Sequence, residues 1–63
     1  MDSFQVKIKR NNRTYKAKAY IDRGILTVNM GNTGVKSAAI SSNNNMLAGM
    51  LLREILSDVE KNN

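Results

Sequence analysis

The chain predicts an α+β fold: a three-stranded antiparallel meander, with room for a short fourth strand, packed on one face by a C-terminal helix. Three observations predict it. Early stretches alternate apolar and polar residues without a break, Asn-Asn and Arg-Gly dipeptides punctuate them, and the last third carries Leu, Ile, Val and Ala at helical spacing. At 63 residues this is one small domain, of a size that buries only roughly 60% of the surface its unfolded chain exposes.

Residues 4–9 place Phe4, Val6 and Ile8 on one side and Gln5, Lys7 and Lys9 on the other, which is a half-buried strand. Arg10-Asn11-Asn12-Arg13 follows, and Asn tolerates the positive φ that a two-residue type I′ turn demands. Residues 14–21 resume the alternation, with Tyr15, Ala17, Ala19 and Ile21 opposed to Thr14, Lys16, Lys18 and Tyr20. Asp22-Arg23-Gly24 makes a second turn, and residues 25–30 alternate again with Leu26, Val28 and Met30 inward. Gly31-Asn32-Thr33-Gly34 is a turn or loop on composition. Residues 35–40 fit either a short fourth strand or an irregular crossover. Ser41-Ser42-Asn43-Asn44-Asn45 supplies capping side chains, so a helix is expected from near Asn44 to about Lys61. On it Ala48, Leu51, Leu52, Ile55 and Val59 share one face, flanked by Leu47 and Leu56. The expected core is Phe4, Val6, Ile8, Ala17, Ala19, Ile21, Leu26, Val28, Met30, Ala48, Leu51, Leu52, Ile55 and Val59.

Met46 and Met50 fall outside that apolar face. Either they fold against Ile40 or they belong to a subunit or partner contact, a use that suits the adaptable Met side chain. A core this thin often finds its remedy in oligomerisation, which tips the expectation toward a homodimer.

Charge is distributed unevenly. The chain holds ten Lys and Arg against five Asp and Glu, a net +5. Residues 5–23 contribute Lys7, Lys9, Arg10, Arg13, Lys16, Lys18 and Arg23 against the single acid Asp22, whereas from Met46 onward acids outnumber bases. With a two-residue turn at Asn11-Asn12, Lys7 lies directly across from Lys16, a like-charge pair that destabilises a free sheet. Phosphates bound over that face would offset the repulsion, and Tyr20 and Thr27 on the same face would then stand nearest the bases. A β-ribbon fits the major groove of duplex DNA, while an exposed Tyr can stack on an unpaired base. The competing explanation is plain: Lys on the solvent face of an edge strand guards against aggregation. A membrane surface or an acidic protein would also suit a basic sheet.

Chemistry of other kinds is sparsely provided for. Without Cys or His the chain has no disulfide, thiol nucleophile, zinc finger or imidazole base. Asp22 belongs to a turn, Ser41 and Ser42 lack a base, and the Gly31 to Gly34 loop lacks the Lys-Ser/Thr of a phosphate-binding loop. Glu54 and Asp58, four residues apart, make too small a set for a divalent ion. No enzyme activity, metal, cofactor or small-molecule substrate is expected. No stretch resembles a signal peptide or membrane span, so a cytoplasmic location is the default expectation.

A basic three-stranded sheet followed by one helix resembles the arm-type DNA-binding domains of phage and transposon integrases and the related AP2-type fold. That resemblance implies a sheet that reads the major groove and a phage or mobile-element setting. Ala17-Lys18-Ala19-Tyr20, Gly24-Ile25-Leu26-Thr27-Val28, Gly31-Asn32 and Leu51-Leu52-Arg53-Glu54-Ile55-Leu56 are similar to a small domain of unknown function appended to restriction-modification and GIY-YIG nuclease proteins. Both resemblances imply association with DNA, and neither carries catalytic residues over. The expected function is therefore a non-enzymatic nucleic-acid-binding module, DNA favoured over RNA. It would use Lys7, Lys9, Arg10, Arg13, Lys16, Lys18 and Arg23 on phosphates, with Tyr20 and Thr27 toward the bases. The alternative is a small protein-interaction or regulatory subunit that binds through Met46 and Met50 or through a sheet edge.

Overall fold

In the computed structural model, which describes residues 2–61, four strands precede one helix: β1 (Asp2–Arg10), β2 (Arg13–Asp22), β3 (Ile25–Asn29), β4 (Val35–Ala39) and α1 (Asn44–Lys61). The strands form one antiparallel sheet in chain order, β1-β2-β3-β4. Turn chemistry sets the register. Asn11 and Asn12 adopt φ of 53° and 64°, the left-handed pair that a type I′ turn requires, and Arg10 then faces Arg13. Arg23 and Gly24 repeat the arrangement at φ of 54° and 78°, so Asp22 faces Ile25.

The third strand stops at Asn29, one residue short of the expected Met30. Asn29 Oδ1 accepts a hydrogen bond from Gly31 N at 2.6 Å, and Met30 N donates to Gly34 O at 2.9 Å. These bonds turn the chain through a 3-10 turn at Gly31–Thr33 and deliver it back alongside β3. Residues 35–39 are thus a true fourth strand, with Leu26 opposite Ala38 and Val28 opposite Lys36. Asn43 caps the helix, its Oδ1 accepting from Met46 N at 3.1 Å, while Ser41 and Asn44 bond across the approach.

Alternation decides which side chains meet the helix. Val6 and Ile8 of β1, Ala17 and Ala19 of β2, and Leu26 and Val28 of β3 are buried against Ala48, Leu51, Leu52, Ile55 and Leu56 of α1. The helix rests on β1, β3 and β4, and β2 contributes the two smallest side chains of the sheet's core. Phe4, Ile21 and Met30 lie at the core's margin, half-buried and packed against it. Val59 is half-buried too, and Leu56 is the last buried helix residue among those described. At Gly34 the backbone approaches Ile55 so closely that a Cβ would lie 2.9 Å from its Cγ2. Leu26, Leu52 and Val28 are the largest fully enclosed side chains; truncating such a Leu to Ala costs about 2–5 kcal/mol.

Candidate nucleic-acid interface

The sheet face away from the helix collects the exposed lysines. Lys7 and Lys9 of β1 and Lys16 and Lys18 of β2 occupy strand positions out of phase with the buried residues, and all four are exposed. Lys7 pairs with Lys16, Lys9 with Thr14 and Gln5 with Lys18, as the turn geometry predicts. Counting from the hydrogen-bonded pair that closes the turn, Lys7 and Lys16 form a non-hydrogen-bonded pair, in which Cα atoms lie about 4.5 Å apart. Among the described residues none of these four lysines has a carboxylate or hydrogen-bond partner.

The hairpin also outruns its neighbour. β3 pairs only with residues 18–22 of β2, so residues 6–10 and 13–17 continue as a two-stranded ribbon. One side of that ribbon buries Val6, Ile8 and Ala17, and the other bears Lys7, Lys9, Thr14 and Lys16. A protruding ribbon, backed by a helix and cationic on its free side, is the shape and charge that a duplex groove accepts.

Three sequence expectations change here. Arg10 is in phase with Val6 and Ile8 and therefore turns toward the helix. Its Nη2 pairs with Glu60 Oε2 at 2.9 Å, and its Nη1 donates to Ser57 Oγ at 3.3 Å and Arg53 O at 3.4 Å. It ties the ribbon to α1 and is no phosphate ligand in this conformation. Arg23 sits in the β2–β3 turn, at the opposite end of β2 from Arg13, which begins that ten-residue strand; the strand's length holds them about 30 Å apart at strand rise. Thr27 does face away from the helix, yet it is only 9% exposed, and its Oγ1 and Ser37 Oγ share a hydrogen bond of 2.8 Å. Flanked by Tyr20 and Ser37 in the sheet, it has little surface to offer a base. Tyr20 is half-buried on that face, and Arg13 is exposed at the ribbon's tip.

Some features escaped the sequence reading. Lys36, on β4, turns toward the helix and bonds Asp58 Oδ2 at 2.8 Å. The hydrogen bond to the Asp58 carboxylate raises the lysine above its ordinary pKa, against the desolvation that lowers it, and the charges of Asp58 and Glu54 add to the rise. A depression of about 480 Å³ is lined by residues 3–5, 16–18, 29 and 30. Its lining takes Ser3, Gln5, Lys16, Lys18 and Asn29 from positions directed away from the helix and Phe4, Ala17 and Met30 from positions directed toward it. Gln5 and Asn29 join Lys16 and Lys18 there. Gln5 was visible as an outward residue of β1; Asn29 was hidden because only tertiary pairing shows that it ends beside Lys18.

Met46 and Met50 are 63% and 54% exposed on the helix side opposite the sheet, and Ile40 is exposed as well. The methionines therefore do not lie beneath the β4 segment. Among the described residues no helix is long and apolar enough to cross a membrane, and no three Asp or Glu side chains gather to hold a metal ion. No family model, curated protein or solved structure matches this chain.

Proposed function

We propose that this chain is a non-enzymatic nucleic-acid-binding module that lays the outer side of the β1–β2 ribbon against phosphates. One observation carries the reading: four exposed lysines on one sheet face, two of them directly opposed, with no acid in contact among the described residues. Opposed ammonium groups cost stability in the free protein, and phosphates offset that cost. Edge protection alone accounts for the lysines of β1 and for Lys16 on the stretch of β2 that β3 does not reach, but would not require Lys18, which is paired on both sides. Duplex DNA is favoured over RNA. The major groove of B-DNA is about 12 Å wide and admits a two-stranded ribbon, whereas the deep, narrow major groove of A-form RNA does not.

A salt titration tests this. Lys7→Gln and Lys16→Gln should each weaken binding to unrelated duplex oligonucleotides and flatten the dependence of log affinity on log salt by about one unit. Each free variant should be as stable as the parent or slightly more so, since the cross-strand repulsion has gone. Unchanged affinity in both variants would sink the proposal.

The exposure of Met46 and Met50 favours a second reading, self-association through the helix face turned from the sheet. Burying a Met side chain contributes roughly 1.5–3 kcal/mol, and a two-fold axis doubles the pair. A wild type that sediments as a monomer at high micromolar concentration rules it out; a dimer abolished by Met46→Lys with Met50→Lys supports it.

A further inference from the structure

Three strands bring Gln5, Lys18 and Asn29 into a single cross-strand row, because Lys18 pairs with Gln5 on one side and Asn29 on the other. All three are exposed on the lysine-bearing face.

The hydrogen-bonding capacity of the row is specific. Gly31 N occupies Asn29 Oδ1 at 2.6 Å, which fixes the amide and leaves its Nδ2 as a donor. Among the described residues Gln5 has no partner, so its amide keeps both a donor and an acceptor. Lys18 donates only. One amide presenting donor and acceptor together matches N7 and N6 of adenine in the major groove, and donors without acceptors match N7 and O6 of guanine or O4 of thymine. Across three strands the row spans about 9.6 Å, close to the rise of about three base pairs at 3.4 Å each.

We infer that Gln5, Lys18 and Asn29 read base edges in the major groove of duplex DNA, with adenine opposite Gln5. This rests on the nucleic-acid reading above and adds sequence preference to it. The ribbon lysines hold the backbone and set register; the row selects among sequences.

Selection from a random-sequence duplex library tests the inference. The wild type should enrich a core of two or three adjacent positions that includes adenine. Gln5→Ala should lower discrimination at that position by about tenfold. Gln5→Glu, which accepts but cannot donate, should redirect the position toward cytosine, whose N4 amino group is a donor. Asn29→Asp keeps the acceptor for Gly31 N, loses the donor, and should flatten a neighbouring position; thermal melts establish that each variant folds, and the Gln5 pair decides if Asn29→Asp does not. Duplex binding that is salt-dependent but without any enriched sequence overturns the row and leaves the phosphate reading standing. So does an enriched core unchanged by Gln5→Ala. Preference for single strands over every duplex overturns the major-groove assignment, and absence of binding to any oligonucleotide at low salt overturns both readings.

Discussion

Each face of the sheet carries cations, and they meet opposite fates. On the helix side, Arg10 and Lys36 each have an acid within 3 Å, Glu60 and Asp58 respectively. On the far side, Lys7, Lys9, Lys16 and Lys18 have none among the described residues. The difference teaches that a net charge of +5 is a poor guide by itself. Asp58 and Glu60 of the C-terminal helix meet the two inward-facing cations, whereas the four lysines of the far face keep their charge uncompensated. Stability should therefore reside on one face and binding on the other.

The largest test of that division is Gly34→Ala. An added Cβ would press to 2.9 Å from Ile55 Cγ2, and φ of 155° suits glycine alone. We expect a loss of about 1–3 kcal/mol in chemical denaturation, with oligonucleotide affinity unchanged while the protein remains folded. An affinity loss in the folded variant would break the division. Next comes a crossed pair. Arg10→Gln should destabilise by about 0.2–1 kcal/mol, the range for a solvent-screened ion pair, and leave the salt slope of binding untouched. Lys16→Gln should do the reverse. Equal salt slopes lost by both would mean that Arg10 swings from the helix to a phosphate.

The smallest effect belongs to Lys36. Its pKa is raised in the folded protein by its bond to Asp58, so its contribution is fully present below its unfolded pKa and fades as pH rises through the higher folded value. Wild type should melt slightly above Lys36→Gln at neutral pH, and the gap should close at strongly alkaline pH. A gap that widens there would contradict the pair's role.

Much of the fold was legible because its signals are local. Alternation fixed which side chains of β1 and β2 point inward, and Asn11-Asn12 fixed the register that opposes Lys7 to Lys16. The fourth strand stayed undecided because its pattern is confused by Lys36, a cation in an inward position that makes sense only once Asp58 arrives from the helix. Arg10 misled for the same reason. Its charge advertised a ligand, while its phase with Ile8 already directed it toward a helix end that no short-range rule locates. Thr27 was placed on the right face, but its burial depends on flanking side chains from two other strands. Residue type announced the lysines; contact partners decided which cations were still unpaired.

The order β1-β2-β3-β4 has a kinetic consequence. Every strand pairs with its neighbour in sequence, so the sheet can assemble through two-residue turns and one short connection at little loop-closure entropy. Only the helix must return over a long distance, and the Arg10 to Glu60 bond joins residues fifty apart. In chain order the strands precede the helix that covers them. The sheet would then wait with Val6, Ile8, Leu26 and Val28 open to water until α1 closes over them, and that final docking is the step at which a nascent chain of this kind is most exposed to aggregation.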